Sequence, residues 1–181
     1  MITTDQNPLV ILTVGHSTMA IEEFLALLEA HGVKLLVDVR TIPRSRHNPQ
    51  FNLESLPASL AAAGIEYTHL KGLGGLRHAL KDSVNTGWRN ASFRGYADYM
   101  QTGAFAASLA ELMDLAAQQR AAIMCAEAVP WRCHRSLIAD ALLVHGARVE
   151  HITSLKEARP HELTPWAKAD GRHITYPSRS R

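Results

Sequence analysis

Residues 121–152 restrict the fold more than any other stretch, because they contain a strand, a loop, a helix and a second strand in succession. The stretch begins with the apolar run AAIMC and ends, after Gly146, with RVEHI. Between these runs, apolar residues recur at helical spacing from residue 137 to 142. Strands that alternate with helices are typical of a parallel sheet. Both cysteines of the chain, Cys125 and Cys133, lie in or beside the loop of this unit.

The same alternation continues through the rest of the chain. Further strands are predicted at 9–14, 33–39 and 65–70, with an added edge strand at 173–176. Further helices are predicted after an N-cap at Ser17 or Thr18, after an N-cap at Asn52, and at 104–119. We therefore predict an α/β fold in one domain over residues 1–181, with a flexible end from about residue 177. The sheet is expected to be mainly parallel, with about five strands and helices on both faces.

A glycine-rich, basic insertion is predicted at residues 71–103, where six of the eleven glycines lie. A segment of this kind is usually a lid, a binding loop or locally disordered. A short helix is expected at 95–102, and the rest is predicted to be loop. The run KGLGG is neither a P-loop nor a dinucleotide fingerprint. No nucleotide cofactor is indicated, and the identity of any cofactor stays open.

The net charge of +2 is too small to indicate a nucleic-acid-binding protein, but the charge is unevenly distributed. Residues 40–94 contain eight Lys or Arg against three acidic residues. Arginine suits bidentate contacts with anions, so a small anionic molecule is the favoured partner. Nucleic acid is the alternative partner, with Trp88, Tyr96 and Tyr99 as stacking groups.

Location and assembly are only loosely restricted. No apolar run is long enough to span a bilayer, so no membrane partner is expected. The N-terminal residues lack the charged region and apolar core of a signal peptide. Two cysteines do not make a disulfide framework, which favours the cytoplasm, where thiols stay reduced. The oligomeric state is left open.

Three loops, after residues 14, 39 and 125, are expected to open at the same edge of the sheet, where ligands bind in parallel α/β proteins. They supply the candidate site. The candidate catalytic residues are Cys125, Cys133, Glu127 and His16, and the candidate ligand-binding residues are Asp38, Arg40, Arg44, Arg46, His134, Arg135 and Ser136.

The chemistry of these residues leaves alternatives. A thiol at a helix N-terminus has a lowered pKa, which favours Cys133 as a reactive group. Cys125, at the end of a buried strand, is either a nucleophile or an inert small apolar residue. His134 is expected to diverge from Cys133, because neighbouring side chains on a helix do not face each other, so His16 is the better candidate base. Glu127 is either an acid–base group or, slightly favoured, the ion partner of an arginine.

Two further alternatives concern the same residues. Asp38 and Arg40 are either ligand-binding residues or a structural pair that orders their loop. A metal site is chemically possible with Cys125, Cys133, His16 and either Glu127 or His134 as ligands. The spacing of the two cysteines matches no zinc finger, so metal is not favoured, and a redox disulfide ranks low because it lacks the usual CxxC spacing.

Several motifs together resemble the bacterial family catalogued as domain of unknown function 488. They are TVGHST (13–18), LVDVRTIPRSRHNPQFN (36–52), Tyr67 with His69, LGG (73–75), residues 93–100 and MCAEAVPWRCHRSLIA (124–139). The resemblance extends from about Leu12 to the PHELTPWA segment. It implies a compact single-domain α/β protein and no particular reaction.

A weaker likeness connects the chain with rhodanese-like and related cysteine phosphatase domains. Asp38-Val39-Arg40 is similar to their DVR tripeptide, and Cys125 followed by Arg135-Ser136 is similar to their catalytic loop. On this likeness Cys125 would accept sulfur or phosphoryl, and Arg135 would hold the anion. Nine residues separate Cys125 from Arg135, more than a compact anion cradle contains.

Three function classes follow. The leading hypothesis is an enzyme that acts on a small anionic substrate, with rhodanese-like or phosphatase-like thiolate chemistry. The second is a nucleic-acid-binding or accessory protein that uses the basic region from Arg40 to Arg94. The third is a metal-binding or redox regulatory protein.

Overall fold

A computed structural model describes residues 7–179 of the chain. Its helices are α1 (Ile21–Ala30), α2 (Leu56–Ala62), α3 (Ala91–Tyr99), α4 (Gly103–Gln118) and α5 (Arg135–Val144). Its strands are β1 (Val10–Gly15), β2 (Leu35–Asp38), β3 (Glu66–His69), β4 (Ala121–Cys125), β5 (Arg148–Ile152), β6 (Ala158–Pro160), β7 (Lys168–Asp170) and β8 (His173–Thr175). Short 3-10 turns lie at Pro49–Phe51, Lys71–Leu73 and Pro130–Arg132.

The main sheet has six strands in the order β3-β2-β4-β1-β5-β6. The first five in this order are parallel, and β6 is antiparallel to β5. The predicted α/β class with a mainly parallel sheet is confirmed. β1 lies in the interior of the sheet between β4 and β5, with Leu12 beside Ala122 and Val10 beside Arg148.

The strand predicted at 173–176 is present at His173–Thr175, but its expected place at the edge of the main sheet is wrong. Residues His173–Thr175 pair with β7 in a separate two-stranded hairpin, while β6 occupies the edge of the main sheet. The physical reason is a tight turn after β5, in which the backbone N–H groups of Thr153 and Ser154 both donate to the carbonyl of Glu157. This turn returns the chain beside β5 before residue 173 is reached.

Helices cover both faces of the sheet, as the sequence predicts. On one face, residues of α4 and α5 pack against Ile11, Ile123 and Val149. On the other, Phe24 of α1 and Leu60 of α2 pack in a second cluster with strand residues. The central strands are therefore buried on both sides, which explains why they appear in the sequence as continuous apolar runs rather than alternating ones.

Helix α1 begins later than predicted. Its N-cap is Ala20, so the expected caps Ser17 and Thr18 are wrong. The chain continues to pair with the loop after β4, because the backbone N–H of His16 donates to Cys125 and that of Ser17 donates to Ala126. Ser17 then adopts a φ of 48°, and the helix starts only after this turn. Helix α2 likewise has Ser55 instead of Asn52 at its N-cap position, and the Ser55 side chain makes no cap hydrogen bond.

The glycine-rich region is organised around helix α3, which spans Ala91–Tyr99 instead of the predicted 95–102. The Asn90 side chain accepts hydrogen bonds from the first turn and starts this helix. Asp98, near its end, accepts hydrogen bonds from Leu80, Ser83 and Asn85. One buried carboxylate thus orders much of the preceding loop.

Within residues 7–179, no helix combines the length and apolar character that crossing a membrane requires. Two terminal expectations fall partly outside the described residues. These are the lack of a signal peptide, which concerns residues 1–6, and the flexible end, which includes residues 180–181.

Candidate active site

The carboxyl ends of β1, β2 and β4 are neighbours, so the loops that follow them meet at one edge of the sheet. They surround a cavity of about 520 Å³, here called the thiol cleft. Its wall includes residues of these loops and of the glycine-rich region: His16, Arg40, Thr41, Ile42, Arg44, Ser45, Gly75, Leu76, Asn90, Ser92, Phe93, Cys125, Ala126, Glu127, Arg132, Cys133 and His134.

Two free thiols lie in contact at the base of the thiol cleft. Cys125 is the last residue of β4, and Cys133 lies just before α5. Their Sγ atoms are 2.6 Å apart, and their exposed fractions are 3% and 7%. The intervening loop, with its turn at Pro130–Arg132, brings Cys133 back onto the end of β4. The pair therefore acts as one chemical group.

Arg135 supplies the positive charge beneath this pair. Its side chain is 1% exposed, and its Nε–H donates to Cys125 Sγ over 3.0 Å. The other guanidinium nitrogens donate to Thr13 Oγ1 and to the backbone carbonyl of Glu127. Within residues 7–179, Arg135 makes no ion pair with a carboxylate. A buried guanidinium needs a compensating negative charge, and the thiol pair is the ionisable group that it contacts.

The two thiols have opposite pKa shifts. The hydrogen bond from Cys125 lowers the pKa of Cys133 to about 4, and His134 and Arg135 shift it in the same direction. Burial raises the pKa of Cys125, as does its hydrogen bond with Cys133. Arg135 thus donates to Cys125, and Cys125 donates in turn to Cys133. These opposite shifts favour a pair that shares one proton, with the negative charge on Cys133.

His134 contacts Cys133, so the expectation that their side chains diverge is wrong. The His134 Nδ1 atom lies 3.4 Å from Cys133 Sγ, while Nε2 donates to the carbonyl of Val39 over 2.8 Å. The helix rule fails because Cys133 has extended φ and ψ angles, and the helix begins only at Arg135. Gly75 makes room for the imidazole, since an added Cβ there would lie 2.6 Å from His134 Nδ1.

Comparison with known proteins identifies a family. The family described as Domain of unknown function DUF488 matches residues 20–142, which include the loop after β2 and both cysteines. The chain belongs to the DUF488 family. The resemblance found in the sequence is confirmed, although TVGHST (13–18) and PHELTPWA (160–167) lie outside the matched residues. No curated protein and no solved structure matches the chain.

His16 of this DUF488 member is held in the wall of the thiol cleft. Its Nδ1 donates to the carbonyl of Ser17, its Nε2 lies 3.4 Å from Arg40 Nη1, and its ring stacks on Phe51. Burial lowers the pKa of His16, so the imidazole is neutral at pH 7. Its hydrogen bonds within the described chain reach Ser17 and Arg40 instead of either sulfur, which favours an orienting role over that of a base for the thiols.

Asp38 and Arg40 form the structural pair that the sequence allowed as an alternative. Arg40 donates from Nε and Nη2 to the two oxygens of Asp38, and from Nη2 to the carbonyl of Phe51. Tyr67 donates to Asp38 as well, over 2.6 Å, and burial raises the pKa of Tyr67. Arg40 nevertheless lines the thiol cleft, so its Nη1 edge remains directed toward the site.

The other predicted residues fall into two groups. Arg44 lines the thiol cleft and makes an exposed ion pair with Glu54, whereas Arg46 is exposed and does not contribute to the wall. Arg135 and Ser136 also lie off the wall, and Ser136 donates to the carbonyl of Cys133. Arg135 is 1% exposed, so its role as an anion holder stays a prediction that its position off the wall does not support.

Glu127 differs from the prediction in its contacts. Its carboxylate accepts a hydrogen bond from the backbone N–H of Val129 over 3.3 Å. Among the ion pairs of residues 7–179 there is none between this carboxylate and an arginine, so the favoured ion-partner interpretation is wrong. The arginine contact goes to the backbone instead, where Arg135 donates to the Glu127 carbonyl over 2.6 Å.

A buried polar chain that was not predicted from the sequence continues from Arg135. Arg135 donates to Thr13 Oγ1, which lies 2.6 Å from His151 Nδ1. His151 Nε2 lies 2.9 Å from His161 Nδ1, and His161 Nε2 lies 2.8 Å from Asp140 Oδ1. Every hydrogen bond in this chain can be donated in the same direction, from the guanidinium of Arg135 toward the carboxylate of Asp140. No local motif signals it, because its members come from β1, α5, β5 and the segment after β6.

The aromatic residues of the nucleic-acid hypothesis are not free to stack. Tyr96 is fully buried and donates to the carbonyl of Leu73. Tyr99 donates to Gly72 and lies beneath Arg77, whose guanidinium is 3.5 Å from the ring centroid. Trp88 packs within an aromatic cluster that includes Phe93, Trp166 and Tyr176. These side chains stabilise the glycine-rich region instead of forming a stacking platform.

The metal hypothesis gains no support from the geometry. In the part of the chain that the structure describes, no three side chains of His, Cys, Asp or Glu are arranged to hold a metal ion. Instead, the two sulfur atoms contact each other, Cys125 contacts Arg135, and Cys133 contacts His134.

Proposed function

We propose that this DUF488 protein is an enzyme that uses the thiolate of Cys133 as a nucleophile toward a small anionic substrate. The observation that carries the proposal is the buried guanidinium of Arg135, which contacts the thiol pair and has no carboxylate partner within residues 7–179. A fold that buries this charge without a carboxylate favours a negative charge on sulfur. A stable thiolate is the reactive form of cysteine.

The position of Cys133 supports the assignment of the nucleophile. Its sulfur lies at the start of α5, 3.5 Å from the backbone N–H of Arg135, where the helix dipole favours negative charge. Because Nε2–H donates to the Val39 carbonyl, His134 adds to this effect in its imidazolium form, in which Nδ1 donates to Cys133. The rhodanese-like likeness would assign the nucleophile to Cys125 instead. We favour Cys133, because burial and the shared proton raise the pKa of Cys125.

The wall of the thiol cleft supports a small anionic substrate. A volume of about 520 Å³ lies within the usual range for small-molecule sites. Arg44 and Arg132 contribute positive charge to the wall, Arg40 lines it as the partner of Asp38, and Glu127 is the single acidic residue among the described lining. We place this chemistry in the cytoplasm, where thiols are kept reduced.

Alkylation at controlled pH tests the proposal. Wild-type protein is treated with iodoacetate or iodoacetamide between about pH 4 and 9, and each cysteine is followed by mass spectrometry. We expect Cys133 to react at a nearly constant rate above about pH 6 and to slow toward pH 4, because its pKa is lowered to about 4. The urea-unfolded chain is the control, in which both thiols should titrate near roughly 8.5.

Matched arginine variants test the anionic preference. Arg44→Ala and Arg132→Ala should each reduce the ratio of the iodoacetate rate to the iodoacetamide rate by about twofold to fivefold, because each removes a positive charge from the wall. Arg46→Ala, in the same loop as Arg44 but off the wall, should leave the ratio unchanged. If Cys133 in the folded protein titrates near the value of the unfolded chain, the proposed thiolate does not exist.

A further inference from the structure

The second thiol needs an explanation that a single nucleophile does not provide. Cys125 lies 2.6 Å from Cys133, and it also lines the thiol cleft. Any adduct that forms through the sulfur of Cys133 is therefore within reach of a second attack by Cys125. Arg135 donates to Cys125 over 3.0 Å, which positions positive charge at the thiol that is protonated in the resting pair.

We propose that the substrate is a small anionic disulfide, and that Cys125 resolves the mixed disulfide formed on Cys133, so that the protein alternates between a dithiol and an internal disulfide. This inference rests on the proposed function, in which Cys133 is the nucleophile. It adds the substrate class and a role for Cys125.

The first step joins Cys133 to the substrate. The thiolate of Cys133 attacks one sulfur of R–S–S–R′, a bond forms between Cys133 Sγ and the sulfur of R, and the S–S bond of the substrate breaks. The leaving group R′–S⁻ carries away the electron pair of that bond and takes a proton from solvent. Cys133 is now part of a neutral mixed disulfide.

The second step releases the rest of the substrate. Cys125 gives its proton to solvent, and its thiolate attacks Cys133 Sγ and expels R–S⁻, which is protonated in turn. The substrate has gained two electrons and become two thiols, while the cysteine pair has lost two electrons and become a disulfide. A low-molecular-weight dithiol, by two further exchanges of the same kind, returns the pair to the reduced form.

Arg135 makes the order of these steps favourable. In the resting protein the negative charge on Cys133 compensates the guanidinium, and Cys125 keeps its proton. Once Cys133 is in a mixed disulfide, that charge is gone, and Cys125 becomes the ionisable group in contact with the guanidinium. An unpaired buried guanidinium favours ionisation of its neighbour, so the first step activates the thiol needed for the second.

The wall of the thiol cleft favours a disulfide over smaller sulfur or oxygen electrophiles. Arg44 and Arg132 offer charge for carboxylate or similar groups, and Ile42, Leu76 and Phe93 offer apolar contacts for the body of a ligand. Hydrogen peroxide or thiosulfate would leave most of about 520 Å³ unfilled. A disulfide with a short anionic chain on each sulfur uses both parts of the wall.

Two disulfides of similar length provide the test, namely the dianionic dithiodipropionate and the uncharged hydroxyethyl disulfide. Reduced wild-type protein is mixed with each, quenched in acid and measured by intact mass and peptide mapping. We expect a loss of about two mass units, a bond between Cys125 and Cys133, and two released thiols per protein. Dithiodipropionate should react about tenfold faster than the uncharged probe, because the wall is positively charged.

Single cysteine variants separate the two steps. Cys125→Ser should stop after the first step and retain one mercaptopropionate on Cys133, whereas Cys133→Ser should form neither adduct nor disulfide. Arg44→Ala should reduce the preference for the anionic probe, and Arg46→Ala should not. The wild-type readout does not depend on whether the serine variants fold.

The possible failures differ in what they overturn. If wild-type protein keeps a stable adduct on Cys133 and forms no internal bond, the resolving role of Cys125 is overturned while the proposed function stands. Equal rates with both probes overturn the anionic class. If thiosulfate instead leaves a persulfide faster than dithiodipropionate reacts, the substrate is a sulfur donor and the disulfide class is overturned. If Cys133 reacts neither with any of these probes nor with iodoacetate, the proposed function fails as well.

Discussion

Arg135 shows how one residue can have a different role from the one its sequence position suggests. An arginine at the start of a helix, near a cysteine, is expected to bind an anionic ligand. Here the side chain is turned inward, and its donors are used on sulfur, a hydroxyl and a carbonyl. In the proposed reaction its effect on the substrate is therefore indirect, through the charge of the thiol pair.

His151 belongs to the same buried chain and gives a prediction about pH. Burial lowers the pKa of His151 to about 4, and the charges of His161 and Arg135 act in the same direction while Asp140 opposes them. In the unfolded chain a histidine titrates near roughly 6.5, so the folded state binds the proton less well. The contribution of His151 to the stability of the fold is fully present above about pH 6.5 and is lost as pH falls toward 4.

Urea unfolding at pH 7 and pH 5 measures this effect. The stability advantage of wild-type protein over His151→Gln should fall by about 1 to 2 kcal/mol between these values, because His151 is protonated in the unfolded chain at pH 5. His173→Gln, at an exposed position, is the control and should show little change. An advantage that is the same at both pH values would show that His151 is not held neutral.

At the scale of elements, the site depends on close contacts between loops from different parts of the chain. Gly15 ends β1 directly beneath the backbone of Glu127, so that any side chain at Gly15 would collide with the carbonyl that accepts from Arg135. Gly75, from the glycine-rich region, gives His134 its room in the same way. Two glycines therefore allow the loops to approach closely enough to build the thiol cleft.

Gly75→Ala tests the second contact. The added methyl group should displace the imidazole of His134 from Cys133, so the pH at which Cys133 reaches half its maximal alkylation rate should rise. The free energy of unfolding should fall by about 1 kcal/mol from overpacking. Gly103→Ala is the matched control, because nothing lies within 4 Å of the added Cβ, and it should leave the titration of Cys133 unchanged. An unchanged titration in Gly75→Ala would mean that His134 does not tune the thiolate.

The elements also show what the sequence could and could not predict. Strands β4 and β5 have the predicted bounds, because each is a short apolar or alternating run ended by clear loop or helix signals. The starts of α1 and α3 were missed. Backbone pairing beyond β1 delays the first helix, and the Asn90 cap advances the second.

The candidate site was predictable from the sequence to about the same extent as the helices and strands. Parallel strands bring their carboxyl ends together, so the meeting of the loops that carry His16, Arg40 and Cys125 follows from the fold class. The direction of Arg135, the contact of His134 with Cys133 and the chain through His151 depend on side-chain packing between distant segments. A single sequence contains no local signal for such contacts.

At the scale of the whole molecule, the C-terminal segment ties α5 to the glycine-rich region. Tyr176 donates from its hydroxyl to Asp140 of α5, and its backbone N–H donates to the Asn85 side chain. The backbone N–H of Gly87 donates back to the Tyr176 carbonyl. Asp140 is fully buried and also accepts from His161. The C-terminal segment thus contacts Asp140, the last residue of the polar chain that begins at the thiols.

Tyr176→Phe tests this connection. The variant keeps the ring packing but removes one donor from a buried carboxylate, so we expect it to lower the free energy of unfolding by about 1.5 to 3 kcal/mol. Tyr99→Phe removes a hydroxyl that donates to the neutral carbonyl of Gly72, and it should cost less, about 0.5 to 1.5 kcal/mol. Urea denaturation of both variants provides the comparison, and a smaller loss in Tyr176→Phe than in Tyr99→Phe would contradict it.

The order of the strands also has a consequence for synthesis on the ribosome. β1 is made before every other described strand, yet its two neighbours in the sheet are β4 and β5. Neither edge of β1 can pair in the native register before residues 121–125 have left the ribosome, and the second edge must wait for residues 148–152. Residues 148–152, which leave the ribosome later, also include His151. The nascent chain therefore carries an apolar strand with two unpaired edges for most of its growth, which is the condition that molecular chaperones protect.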